Sequence, residues 1–293
     1  MICAFIGLGQ MGGPMAGNLS AKYQTIVTDQ IDQNLKCLQD LGAEIARDNA
    51  DLAKADVIFL CLPGGDIVEK VLFAEGGLVK NLKPGQIIVD TSTIEYGTTL
   101  RIADNLKAQE IEFVDAPVSG MHSRAVDGTL TMMCGGKSKV VEKISPLLET
   151  MANKILHMGP TGSGQLTKLI NQLLFDINAA ALAEILPLAV KLGLDPAKTG
   201  EVVNSGTGRS YASEFFIPNI LKGKFTEGYP MANAYKDLIS GAEISARYQI
   251  PTPVLSAATA TYQMALCQGR GKEDKASMIQ VFEKLLNVRF RDQ

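Results

Sequence analysis

Hydrophobic positions come in short runs along the first half of the chain and in stripes three and four residues apart along the second. Residues 2–6 and 57–62 are apolar throughout, as strands buried on both faces of a parallel sheet require. Shorter segments at 24–28, near Glu44, at 86–89, 112–114, 129–135 and 155–157 read as further strands, and 32–41 and 140–151 as helices between them. The longest periodic stretch is 162–194, where Leu166, Leu169, Ile170, Leu173 and Ile177 draw one apolar stripe. Lys168, Asn171 and Gln172, at i, i+3 and i+4, share a different face. Ser163 reads as its N-cap, Gly193 as its stop and Pro187 as a late kink. About thirty residues at roughly 1.5 Å each make a rod of about 45 Å, long enough to join two domains. Helices at 195–204, 233–248, 253–267 and 275–286 follow.

The first strand runs directly into Gly7-Leu8-Gly9-Gln10-Met11-Gly12, and a helix begins at once with Pro14 in its first turn. A G-x-G-x-x-G is weak alone, but the strand-to-helix context is what a dinucleotide-binding turn needs. Gly7 permits the tight turn, Gly9 lets the backbone approach a pyrophosphate, and Gly12 lets helix and strand pack closely. The helix N-terminus offers N–H groups and a positive dipole to the phosphates. Asp29 ends the second strand about twenty residues on, where an acid bonds the adenosine ribose hydroxyls or simply caps the next helix. No Arg or Lys lies between Tyr23 and Leu35 to hold a 2′-phosphate, so NAD is expected over NADP. Asp90-Thr91-Ser92-Thr93 closes a later strand with small hydroxyl residues, at the end of the sheet where ligands bind. The fold class is therefore an α/β Rossmann-type domain over 1–161, a connecting long helix over 162–194, and an all-α domain over 195–293.

Composition narrows the function. The 293 residues carry a net charge of −3 with no basic tract and no Trp, which argues against nucleic-acid partners. The 5 cysteines are scattered without a C-x-x-C, which fits a reducing, cytoplasmic setting. With 2 histidines, His122 and His157, and no Cys/His spacing, no metal site is expected. The N-terminus enters a strand without early positive charge, unlike a signal peptide, and no uninterrupted apolar run reaches membrane-spanning length.

Four stretches together resemble the β-hydroxyacid dehydrogenases, most closely those of 3-hydroxyisobutyrate dehydrogenase type, nearly end to end. GLGQMGGPMAGN at 7–18 resembles that family's cofactor fingerprint, and DAPVSGMHSRAVDGTLT at 115–131 its substrate-binding stretch. GSGQLTKLIN at 162–171 resembles its catalytic stretch, and YKDL at 235–238 its C-terminal lysine motif. The resemblance implies that Leu62, Pro63 and Thr93 contact the dinucleotide, and that Ser119 and Gly120 hold a substrate carboxylate. It implies Lys168 as the catalytic lysine, Asn171 as a substrate-orienting amide, and Lys236 beside the nicotinamide and substrate. It also implies a homodimer or homotetramer formed through the α domain. The chain departs from the family pattern at Met121, where a second glycine is usual, at His122 and Arg124, and at Gln172 in place of a second Asn.

The implied reaction interconverts a small anionic 3-hydroxy acid and its aldehyde or keto acid, with NAD as hydride carrier. An unperturbed lysine titrates near ~10.4, so Lys168 would need burial or a second cation such as Lys236 to serve as a base near neutrality. A reductase of semialdehyde acids or glyoxylate is the same chemistry reversed. A non-catalytic dinucleotide-binding module is the alternative from another class, and the presence of Lys168 speaks against it. Met121, His122 and Arg124 crowd the substrate stretch, and the fork of Arg124 suits a carboxylate, so a second anionic or polar group on the substrate is expected. Otherwise Arg124 points to solvent or pairs with Asp127.

Overall fold

In the computed structural model, which describes residues 1–226 and 228–292, the apolar runs of the first half become strands of one sheet. The chain divides into two units, Met1–Lys168 and Leu169–Gln293. The first contains β1 (Cys3–Ile6), α1 (Gly12–Ser20), β2 (Thr25–Thr28), α2 (Asp32–Asp40), β3 (Glu44–Ile45), α3 (Asn49–Leu52), β4 (Val57–Leu60) and α4 (Gly65–Phe73). It continues with β5 (Ile87–Asp90), α5 (Tyr96–Lys107), β6 (Glu112–Asp115), β7 (Val118–Ser119), α6 (Met121–Val126), β8 (Leu130–Gly135), α7 (Ser138–Leu148) and β9 (Ala152–Gly159). Neighbouring strands run β3-β2-β1-β4-β5-β6-β8, with β7 and β9 both on β8. The strands from β1 to β6 are parallel, whereas β8 is antiparallel to β6. Successive residues face opposite sides, and both sides are covered. Phe5, Phe59 and Val89 enter one apolar layer, and Ala4, Ile58 and Ile88 the other. That explains why these strands read as continuous hydrophobic runs. The strand order reverses between β1 and β4, which opens the crevice where ligands of such sheets bind.

The second unit holds α8 (Ser163–Lys191) from Leu169 onward, then α9 (Pro196–Ser205), α10 (Tyr211–Leu221), α11 (Met231–Arg247), α12 (Pro253–Cys267) and α13 (Ile279–Leu286). Ala179, Ala180, Ala183 and Leu186 of α8 pack in its core with Phe216, Leu238 and Tyr262. Buried Lys275 pairs with buried Asp176 and lies 4.2 Å from the Phe175 ring centroid. Tyr262 Oη donates to the same Asp176 oxygen at 3.2 Å. By length and composition alone α8 is long and apolar enough to cross a membrane, as the core helix of a protein outside the membrane can also be. Asp176 within it is paired with Lys275 inside the helical core.

One expectation changes. Ser163 is not the cap of α8, because the N–H groups of Gly162 and Gln165 donate to the Asp115 carboxylate at 2.7 and 2.9 Å. The helix includes Pro187 and ends at Lys191, shortly before Gly193.

Asp115 and Asp90 are register partners at the ends of β6 and β5, and both are fully buried. Burial pushes the Asp90 carboxyl up to about 7 and the Asp115 carboxyl up to about 6. Asp90 Oδ1 accepts from Ser92 N at 3.0 Å, while Oδ2 has no hydrogen-bond partner. A carboxyl in the unfolded chain titrates near ~3.9, so the folded chain binds the extra proton above that pH. Stability therefore falls as pH rises from about 4 to about 7 and is level beyond. Asp90→Asn, which mimics the protonated acid, should flatten this decline and gain at least ~1 kcal/mol over wild type at pH 8. Denaturant unfolding at pH 4 to 8 checks it; curves that stay parallel for the two proteins would contradict it.

Candidate active site

The turn after β1 is shaped by packing at two glycines and by something else at the third. Gly7 has φ +94°, and a Cβ there would lie 2.3 Å from the Cys61 carbonyl oxygen. A Cβ on Gly12 would lie 1.9 Å from the Gly7 carbonyl oxygen. No side chain tolerates either contact. A Cβ on Gly9 would meet nothing within 4 Å, so the protein's own packing does not require glycine there. Room kept for a ligand backbone-close to the turn accounts for it. Leu8 between them is buried, while Gly9 and Gln10 are exposed. Met11, which precedes α1, makes no side-chain cap, and the first turn carries no acid, so the positive helix end faces the turn.

Asp29 takes the capping role that the sequence left open and also braces the glycine turn. Its Oδ1 accepts from Ile31 N at 2.8 Å and from Asn34 Nδ2 at 3.2 Å, which caps the entry to α2. Its Oδ2 accepts from Leu8 N at 2.5 Å, which ties the end of β2 to the glycine turn. A carboxylate has about four acceptor sites and three are taken, so about one remains for a ribose hydroxyl. Half-buried Leu62 and exposed Pro63 follow β4, and Leu62 N donates to Ser92 Oγ at 2.8 Å. Thr93 is half-buried between buried Ser92 and Ile94. These residues, with Gly7 to Gly12, gather at the C-terminal ends of β1, β2, β4 and β5. That end of a parallel sheet, at the point where its strand order reverses, is where a dinucleotide binds.

The stretch expected to hold substrate is partly helical. Ser119 ends β7, Gly120 has φ +145°, and Met121 has φ +62° at the start of α6. The backbone at Met121 is of the left-handed kind that glycine adopts freely, at a strain of roughly 1–2 kcal/mol for a side chain. Met121 therefore stands on a backbone that glycine would adopt without strain. His122 Nδ1 lies 2.7 Å from the Gln10 carbonyl oxygen, which only accepts, so Nδ1 carries the proton. Asn18 Nδ2 of α1 donates to the Ala125 and Val126 carbonyls at 2.9 and 3.3 Å. Both ends of α6 are therefore fastened to the glycine turn and its helix. Arg124 Nη2 donates to the Thr129 carbonyl and lies 3.4 Å from Asn153 Oδ1. This is a third outcome beside the two expected, because the guanidinium closes its own loop.

Lys168 is half-buried on α8, one turn beyond the residues anchored by Asp115. In the second unit, Asn171 is exposed, with Nδ2 3.3 Å from Gln172 Oε1. Lys236 is half-buried on α11 next to buried Asp237. The first unit thus brings together the glycine turn, Asp29, Leu62, Thr93 and His122. The sequence reading missed Asp115, Ser92 and Asn18 as positioning residues. Asp115 and Asn18 lie inside the quoted motifs, but nothing in spacing shows which distant N–H or carbonyl they meet. Among the described residues, no cluster of His, Cys, Asp or Glu could hold a metal ion.

Comparisons with known proteins agree with this geometry. A family profile described as the NAD binding domain of 6-phosphogluconate dehydrogenase matches residues 2–159. One described as NAD-binding of NADP-dependent 3-hydroxyisobutyrate dehydrogenase matches residues 162–282. The chain is 39% identical to 2-(hydroxymethyl)glutarate dehydrogenase of Eubacterium barkeri, over 97% of this chain and 95% of that protein. It is 33% identical to 3-sulfolactaldehyde reductase of Escherichia coli, over 94% of each chain. The crystal structure of 3-hydroxyisobutyrate dehydrogenase from Salmonella typhimurium superposes with a TM-score of 0.85 at 29% identity, covering 96% of this chain and 100% of that one. The chain belongs to the 3-hydroxyisobutyrate dehydrogenase family of NAD(P)-dependent hydroxy-acid oxidoreductases.

Proposed function

We propose that the protein interconverts a short 3-hydroxy acid bearing a second anionic group and its aldehyde, with NAD and with Lys168 as the acid and base. The observation that carries this reading is Lys168 itself. It stands one turn past the point where α8 is tied to the C-terminal ends of β5 and β6, beside the dinucleotide crevice. Oxidation removes a hydride from the hydroxyl-bearing carbon and a proton from its oxygen. A bound nicotinamide supplies the hydride acceptor. Lys168 takes the proton, and in reduction its ammonium polarises the carbonyl and returns the proton. Ser119 and Gly120 hold the carboxylate that all these substrates share, and Asn171 and Lys236 orient the substrate and nicotinamide.

The second anionic group is supported by the name of the 39% relative, whose substrate is a dicarboxylate. It no longer rests on Arg124, whose Nη2 is already engaged. Reduction of an anionic semialdehyde is the second reading, favoured by the 3-sulfolactaldehyde reductase among the relatives. Exposed Leu174, Ile185 and Leu188 on α8, with Leu192 just beyond its end, support a homodimer or homotetramer formed through the helical unit. The scattered free cysteines support a cytoplasmic setting.

Three outcomes test the proposal. NAD should give the higher kcat/KM in the unmodified protein, and Asp29→Ser with Gln30→Arg should move preference toward NADP. Equal efficiency with both cofactors would contradict the role of Asp29. Lys168→Ala should lose roughly 10²–10⁴-fold in turnover while binding NADH as wild type does. Normal turnover by the folded variant would remove Lys168 from the chemistry. In a panel, 2-(hydroxymethyl)glutarate should exceed 3-hydroxyisobutyrate in kcat/KM, and Arg124→Ala should alter both alike. Preference for the mono-acid, or a loss confined to the di-acid in Arg124→Ala, would revise the substrate assignment.

A further inference from the structure

We propose that Gln165 is a positioning residue that holds Thr93 against the dinucleotide and sets the placement of Lys168 with the same side chain; this rests on the roles given above to those two residues. Gln165 is only 2% exposed, in the first turn of α8. Its Nε2 donates to the Ser92 carbonyl at 2.6 Å, and its Oε1 accepts from Ile94 N at 3.3 Å. These two groups flank Thr93, so the amide brackets that residue as a neighbouring strand would. Only a side chain with donor and acceptor in one planar head can do this. A carboxylate lacks the donor and an apolar residue lacks both. The backbone N–H of the same residue is fixed by Asp115 at 2.9 Å. Ser92 in turn accepts from Leu62 N at 2.8 Å, which joins the loop after β4 to the same network. Thr93 is the half-open member of a loop whose neighbours are buried, so it is the residue left facing the crevice. Lys168 follows Gln165 by three residues on one helix and moves with it. The cofactor loop and the acid–base group therefore share one anchor, and a change in either is transmitted through a buried amide.

The test uses the full-length protein, with NADH binding followed by nicotinamide fluorescence and turnover measured on 2-(hydroxymethyl)glutarate and 3-hydroxyisobutyrate. Gln165→Leu removes both polar ends at similar volume. Its NADH Kd should weaken by about 10-fold, the scale of one lost hydrogen bond. Its kcat should fall by about 10²-fold, as a misplacement of roughly 1 Å produces, with substrate KM little changed because Ser119 and Gly120 are untouched. Gln165→Glu keeps the acceptor for Ile94 and loses the donor for Ser92, so it should fall between wild type and Gln165→Leu on both measures. If either folded variant melts earlier yet keeps wild-type NADH affinity and kcat at 20 °C, Gln165 is a structural residue only and the proposal fails. A loss confined to substrate KM also overturns it. Failure of wild-type protein to bind NADH, or normal turnover by Lys168→Ala, would instead remove the functional reading on which it rests.

Discussion

The burial of Asp115 at the end of β6 is the constraint on which the site depends. A helix leaves its first N–H groups without partners, and Gly162, Gly164 and Gln165 at the start of α8 are buried. Asp115 satisfies Gly162 and Gln165 from a strand about fifty residues earlier in the chain, so the start of α8 is fixed to the sheet and not to its own sequence. Glycines 135 and 164 leave room for it, since a Cβ on either would come within 2.8 Å of its carboxylate. Fixing the helix at that point fixes Lys168 one turn later. The strand ends that present the glycine turn, Leu62 and Thr93 belong to the same sheet, so crevice and lysine share one frame.

That frame is maintained against an electrostatic penalty. Desolvation disfavours the charge of both carboxylates at the ends of these adjacent buried strands, and Asp115 further disfavours that of Asp90. Asp115 recovers much of this through backbone N–H bonds, whereas Asp90 keeps one oxygen without a partner. In the helical unit the same problem is met differently, with Asp176 neutralised by Lys275 and bonded by Tyr262. Each arrangement buries charge where apolar packing would be more stable, and each fixes the position of a particular helix.

Much of this was legible in the sequence, and the parts that were not share a physical cause. The strands at 2–6 and 57–62 announce themselves because burial on both faces leaves no polar positions. The glycine turn is legible because Gly7 and Gly12 answer to local sterics. Helix α4 was missed because it follows Pro63-Gly64 closely and buries little beyond Gly65, Val68 and Leu72. Helix α10 was missed because its capping box uses Ser210 and Ser213 in place of an acid, and because Pro218 lies inside it. The antiparallel turn of the sheet at β8 is set by pairing, which no single segment encodes. The partner of Arg124 was hidden for a related reason, since its charge is visible in the sequence but the Thr129 carbonyl that receives its Nη2 is not.

The central claim is that an anchored α8 delivers Lys168 to the oxygen of a hydroxy acid held beside a nicotinamide. A crystal structure of the protein with NADH and 2-(hydroxymethyl)glutarate, an unreactive pair, measures this directly. The account places Lys168 Nζ within about 3 Å of the hydroxyl oxygen, with the substrate carboxylate on Ser119 and Gly120. A hydroxyl oxygen bonded to a different acid–base group, with Lys168 turned away from it, would contradict it.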